Sequence, residues 1–184
     1  MTSIIIDAVP HGRLTTSDMA QLQALFDDEY LGEFGEWDPD QPYGYAPHDV
    51  HLIARLGDQI VGHVGWARRT VGVGAVELVI AGVGGVLISP RARGQRVGAR
   101  LLIHAAASMT DAGGIEFGYL GCREEVVSFY ESCGWRRISA VEHSIDRAGQ
   151  PSTQPSGPPI LTLALGPTPR MWPAATIDLR GRAW

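Results

Sequence analysis

Val76-Glu77-Leu78-Val79-Ile80-Ala81-Gly82-Val83-Gly84-Gly85-Val86-Leu87-Ile88 runs on through Ser89-Pro90-Arg91-Ala92-Arg93-Gly94-Gln95-Arg96 into Val97-Gly98-Ala99-Arg100-Leu101-Leu102. An apolar strand thus passes through a basic, glycine-marked turn into an amphipathic helix. The turn leaves successive amide N–H groups without helical partners, and the helix dipole adds about half a positive charge at the same place. A pyrophosphate fits such a terminus. On the glycines alone, a plain strand-to-helix connection with its arginines in solvent fits as well. A Walker A loop is excluded, since the chain contains no lysine, and the glycine spacing is not that of a dinucleotide-binding fingerprint.

Gly82, Gly84 and Gly85 stand inside the strand itself. Glycines there mark a bulge or a close approach by another backbone or a ligand. Upstream, Ile4 to Val9 reads as a strand, and Ser17 as the N-cap of a helix that carries Met19, Leu22, Leu25 and Phe26 to about Tyr30. Leu31 to Asp49 is too rich in glycine, proline, aromatics and acids to form a regular element, and a loop of that length is often functional. His51–Arg55 and Gln59–Arg68 alternate around Leu56-Gly57-Asp58-Gln59 as a hairpin. Downstream, a helix over Gln95–Ala112 buries Val97, Leu101, Leu102 and Ala105. Ile115–Gly121 is a strand, Glu125–Cys133 a short helix and Arg136–Ile145 a strand. Ala148–Pro159 is a loop, and Ile160–Leu165 is the final strand before a tail. Strands and helices mixed without strict alternation predict an α/β fold of the α+β type, in one domain over residues 1–184.

The net charge of −5 argues against nonspecific nucleic-acid binding, and the apolar runs are too short to span a membrane. The start of the chain has neither the basic nor the long apolar segment of a secretion signal, so a cytoplasmic location is expected. Cys122 and Cys133 lack the spacing of metal ligands and are expected as reduced, packed thiols, with no metal.

Arg93-Gly94-Gln95-Arg96-Val97-Gly98 resembles the acyl-coenzyme A signature of the GNAT superfamily of N-acetyltransferases, Arg/Gln-x-x-Gly-x-Gly/Ala, with Arg96 in place of its first glycine. Phe129-Tyr130-Glu131-Ser132-Cys133-Gly134-Trp135 resembles the later segment of the same superfamily. The resemblance implies a central, mostly antiparallel sheet whose fourth and fifth strands, Val76–Ile88 and Ile115–Gly121, splay apart to admit a pantetheine arm. Acetyl-CoA is then the donor. Val86, Leu87 and Ile88 would hold the arm, and Arg93, Gly94, Gln95, Arg96, Val97 and Gly98 the pyrophosphate. Tyr130 would protonate the leaving thiolate, and a backbone N–H near Val86 would polarise the thioester.

Two subfamilies are similar over nearly the whole chain. The aminoglycoside 2′-N-acetyltransferases share Val83-Gly84-Gly85-Val86, Arg93-Gly94-Gln95-Arg96 and a last residue like Trp184. The nodulation A-type N-acyltransferases share Leu25-Phe26, Val76-Glu77-Leu78-Val79 and Trp172-Pro173-Ala174-Ala175-Thr176-Ile177. Both act on the amine of an amino sugar. The implied reaction is acetylation of such an amine, with a 2′-amino group of an aminoglycoside-type antibiotic as the acceptor. The alternatives are acylation of an oligosaccharide from an acyl carrier protein and a non-catalytic protein that binds coenzyme A or a drug. In the aminoglycoside enzymes a glutamate stands where this chain has Gly84, so another base is required. Glu77, Asp38, Glu36, His48 and His51 are the choices, each also readable as an ordinary surface or hairpin residue. Glu36, Trp37, Asp38, Gly84, Gly85 and Trp184 are expected around the acceptor. Superfamily members often pair, which makes a homodimer a further expectation.

Overall fold

The apolar stretch Val76–Ile88 is a single 13-residue strand, and its pairings organise the sheet. The computed structural model describes residues 3–154, 157–166, 168 and 170–184. Among these, the strands are β1 (Ile4–Pro10), β2 (Val50–Leu56), β3 (Gln59–Val73), β4 (Val76–Ile88), β5 (Phe117–Gly121), β6 (Arg136–Ile138), β7 (Glu142–Ile145), β8 (Pro151–Gln154), β9 (Ile160–Ala164) and β10 (Ile177–Arg182). The α-helices are α1 (Thr16–Phe34), α2 (Val97–Asp111) and α3 (Val127–Ser132). The sheet order is β6-β9-β5-β4-β3-β10-β7-β8, with β1 and β2 branching from β3. Most pairings are antiparallel; β4 with β5 and β10 with β7 are parallel.

Alternation along β2 sends Leu52 and Ala54 to one face and Ile53 to the other. The first face receives α2, whose buried residues Val97, Leu101, Leu102, Ala105 and Met109 recur at helical spacing. The second receives α1 through Leu22, Leu25 and Phe26. The N-cap of α1 is Thr15, not Ser17: Thr15 accepts from the Asp18 amide, and the Asp18 carboxylate accepts from the Thr15 amide, so two free donors are satisfied at once. The Arg55 guanidinium donates to the same carboxylate at 2.7 Å, tying the helix start to β2.

Other boundaries also differ from expectation. α1 continues to Phe34 and stops at Gly35, whose φ of 81° a side chain disfavours. β3 extends to Val73, because its far half pairs with β4 and, at Gly72 and Val73, with β10. The strand expected over Arg136–Ile145 is two strands in different parts of the sheet, β6 beside β9 and β7 beside β10. The loop at 148–159 contains β8; its Pro155 and Ser156 lie outside the described residues. β9 is not the final strand, since the tail returns as β10 and packs Ile177 and Leu179 with no exposure.

Candidate active site

The parallel ladder of β4 and β5 is only three pairs long, Ile80 with Phe117, Ala81 with Gly118 and Gly82 with Tyr119. Beyond Gly82 the strands part. On its other edge β4 pairs Gly84 with Gly65 and Leu87 with His63, so Gly85 and Val86 together stand opposite Val64 alone. The extra residue makes a bulge, and Gly85 takes a φ of 59° to turn it, a conformation that favours glycine. Gly85 and Val86 therefore fall outside the register of both neighbouring strands. This is the opening expected of the fourth and fifth strands.

A cavity of about 1250 Å³ fills the parting. Val83 to Val86 form one wall, and Leu120, Gly121, Cys122, Phe129 and Tyr130 another. Tyr130 is 7% exposed; burial, with smaller contributions from Cys122, Tyr30 and Cys133, pushes its phenol well above the usual tyrosine range. It is a neutral O–H donor at any ordinary pH. Both cysteines are free and half-buried.

Toward the tail the cavity is lined by Tyr43, Tyr45, His48, Glu142, Asp146, Arg147 and Trp184. Three polar atoms on this side, Tyr43 Oη, His48 Nε2 and Trp184 Nε1, are buried with no hydrogen-bond partner among the described residues. Leaving such a group unpaired costs about 1–3 kcal/mol, which a polar ligand would recover. Glu142 is buried on β7 and accepts from the Tyr119 hydroxyl. Burial raises its carboxyl, against the lowering effect of the bonds from Tyr119 and Ser144.

Trp184 is seated firmly. Its ring lies over Gly82, where a Cβ would fall inside the indole, and the Arg69 guanidinium covers it at 3.9 Å. A Cβ on Gly84 would lie 2.6 Å from the Trp184 carbonyl carbon and 3.1 Å from His48 Nε2. The space a glutamate at 84 would need is filled by Trp184 and His48.

The remaining expected residues divide. Val86, Gly84, Gly85, Tyr130 and Trp184 line the cavity, and Trp37 reaches its edge while stacking on Phe26 at 5.0 Å. Glu77, Glu36 and Asp38 do not line it. Glu77 lies at the far end of β4, before the parting, and pairs with Arg180 at 2.6 Å. Asp38 turns its carboxylate onto the Asp40 amide, and Glu36 is exposed. Leu87 points to the α1 face, and Ile88 packs beside α2 near Gly62.

The turn leading into α2 has the form its glycines suggest. Gly94 has a φ of 77° and Arg96, at the N-cap, 58°. Arg96 thus occupies a left-handed position that glycine would hold without strain, which accounts for the usual glycine there. The Arg93 side chain is engaged with the Ile88 carbonyl and Glu29, and Gln95 donates to the Arg91 carbonyl. The Val97 and Gly98 amides begin the helix. A Cβ on Gly98 would come within 3.1 Å of the Phe129 ring, so the small residue lets α2 and α3 meet.

A file of histidines, absent from the sequence reading except for His51, runs behind the bulge. His11 Nδ1 lies 3.0 Å from His51 Nε2, His51 Nδ1 2.9 Å from His63 Nε2, and His63 Nδ1 2.7 Å from the Gly85 carbonyl. His48 packs against His51 and His63 at ring separations of 5.8 and 5.9 Å. The available sequence signal was an inward-facing histidine on each strand of one hairpin. Among the described residues no group of His, Cys, Asp or Glu is disposed to hold a metal.

A sheet parted beside a bulged fourth strand, with a glycine turn at the head of the next helix, is the fold of the GNAT acyltransferases. The chain belongs to the nodulation protein A family, whose model matches residues 11–182. Solved structures with the same fold include ElaA of Escherichia coli, 20% identical with a TM-score of 0.62 over 88% of this chain and 99% of that one. A GNAT family acetyltransferase of Brucella melitensis, solved in complex with acetyl-CoA, is 19% identical with a TM-score of 0.59, covering 96% of each chain. The GNAT family N-acetyltransferase YhbS of Escherichia coli, in complex with CoA, is 14% identical with a TM-score of 0.64 over 97% and 91%. At these identities the likeness is one of fold. No curated protein sequence matches the chain. No helix among the described residues is long and apolar enough to cross a membrane.

Proposed function

We propose that the protein transfers an acyl group from a coenzyme A thioester, acetyl-CoA in the simplest case, to the amine of an amino sugar. The observation that carries this reading is the parting of β4 and β5 beside the Gly85–Val86 bulge, with Tyr130 buried on the opposite wall. The pantetheine arm would pair with the freed edge of β4 at Val86 to Ile88, and the pyrophosphate would meet the amides of the 93–98 turn. The coenzyme supplies the activated acyl carbonyl. The Val86 N–H would stabilise negative charge on the carbonyl oxygen, and Tyr130 would donate its proton to the departing sulfur.

The acceptor side suits a hydroxylated amine. Tyr43 and Tyr45 offer aromatic surface for a sugar ring, Glu142 and Asp146 offer carboxylates, and the unpaired Tyr43, His48 and Trp184 atoms need partners. In the reaction the neutral amine attacks the thioester carbon, the carbon–sulfur bond breaks as sulfur takes the Tyr130 proton, and the proton the nitrogen sheds as the amide forms passes to solvent and restores the Tyr130 phenol. His48 Nε2, beside Gly84, would accept the hydrogen bond that aims the amine lone pair. An aminoglycoside 2′-amine is the acceptor we favour. The match to the nodulation protein A family supports the second reading, acylation of an amino-sugar oligosaccharide.

Thiol release measured with acetyl-CoA and longer acyl-CoA donors, against aminoglycosides, simple amino sugars and partly deacetylated chitin oligosaccharides, distinguishes these readings. Turnover with an aminoglycoside supports the first acceptor, and turnover with the oligosaccharide alone supports the second. Tight coenzyme A binding with no turnover on any amine overturns the enzymatic reading in favour of a binding protein.

A further inference from the structure

The His11–His51–His63 file has a direction that its last partner dictates. The Gly85 carbonyl can only accept, so His63 Nδ1 carries a hydrogen and donates to it at 2.7 Å. In a neutral ring the other nitrogen, Nε2, is then an acceptor. His51 must donate to it from Nδ1, and His51 Nε2 must accept from His11 Nδ1. All three hydrogens point toward Gly85. At the outer end, His11 Nε2 lies 3.4 Å from the Asp40 carboxylate.

The Gly85 carbonyl shares a peptide plane with the Val86 N–H. No peptide bond among the described residues is cis, and across a trans peptide the C=O and N–H point in opposite directions. A carbonyl held toward the His63 ring therefore turns the Val86 N–H to the opposite side of the peptide, away from that ring, and Val86 itself lines the cavity. A hydrogen bond to the carbonyl also polarises the peptide, making its N–H a stronger donor, and aligned bonds reinforce one another. Gly85 takes part because its left-handed φ of 59° turns the carbonyl, and the His63 ring lies 3.1 Å from where a Cβ would be.

We propose that the three-histidine file is a positioning device for the oxyanion-binding amide, in which His63 orients and polarises the Gly85–Val86 peptide and His51 and His11 fix its tautomer. The proposal rests on the acyl-donor reading above. His63 touches neither donor nor acceptor in this scheme; it acts through the peptide.

Two measurements test it. In protein with 15N-labelled histidine at neutral pH, His51 and His63 should both appear as Nδ1–H tautomers, the less common form of a free imidazole; an Nε2–H form of His63 overturns the file. Acetyl-CoA labelled with 13C at the thioester carbonyl should show a downfield shift on binding to the wild type. His63→Leu should lose that shift and lower kcat about tenfold with little change in KM for the donor. His63→Asn, whose amide nitrogen sits where Nδ1 was, should recover both. Equal loss in Leu and Asn variants, or a loss in KM alone, contradicts positioning. The two readings fail separately: a wild type that binds no acetyl-CoA overturns the donor assignment, whereas one that binds it with an unshifted carbonyl overturns the role of His63.

Discussion

At pH 5 the protein should be about 6 kcal/mol less stable than at pH 7, because three buried imidazoles stay neutral in the folded state and charge in the unfolded one. Burial lowers His48, His51 and His63 from 6.5 to about 3 in each case. Neighbouring histidines deepen the effect: His51 and His11 act on His48, His63 and His11 on His51, and His48 on His63, where the bond to Gly85 partly opposes it. The sign follows from which state binds protons. Above 6.5 neither state binds them and the stability is fully present; between 6.5 and about 3 only the unfolded chain does, so stability falls with pH. Each ring contributes about 2 kcal/mol over the interval from pH 7 to pH 5. The sum is comparable with the whole stability of an ordinary domain, roughly 5–15 kcal/mol. Urea unfolding at intervals across that range measures it. A flat profile would mean that these rings take up protons in the native protein as readily as in the unfolded chain, and their burial as neutral imidazoles down to pH 5 would be wrong.

Tyr130→Phe should lower turnover about a hundredfold, the usual order for loss of a general acid, while leaving coenzyme A affinity within about twofold, since the ring and its packing stay. The expected split comes from the site: Tyr130 packs edge-to-face against Phe129 and Trp135, so the phenyl ring alone can keep the wall in place. A thiol-release assay at saturating donor gives kcat, and calorimetric titration with coenzyme A gives the affinity. An unchanged kcat removes Tyr130 from the chemistry. A loss of affinity instead would assign it to packing.

Much of the site's donor half was legible in local sequence. Three glycines inside an apolar strand marked the bulge, and a glycine-marked turn before an amphipathic helix marked the place proposed here for the pyrophosphate; both are properties of a few consecutive residues. The acceptor half was not, because it depends on distant segments meeting. Glu36 and Asp38 were expected there on the strength of an acidic loop, but Glu36 is exposed and Asp38 turns onto the Asp40 amide, and the carboxylates at the cavity are Glu33 near the end of α1, and Glu142 and Asp146 from β7 and the turn after it. Glu77 shared a strand with Val86 yet stands before the parting. The tail looked like an extension past the last strand; instead β10 inserts between β3 and β7 and delivers Trp184 onto Gly82 and Gly84. Gly84 carries the same lesson. In sequence it reads as a lost carboxylate, whereas in the fold it is a space that Trp184 and His48 occupy.

The most direct test of the account is a crystal structure with acetyl-CoA bound. The thioester oxygen should lie about 3 Å from the Val86 nitrogen, the sulfur beside the Tyr130 hydroxyl, and the pyrophosphate on the amides of the 93–98 turn. A coenzyme bound elsewhere, with the space between β4 and β5 empty, would contradict it.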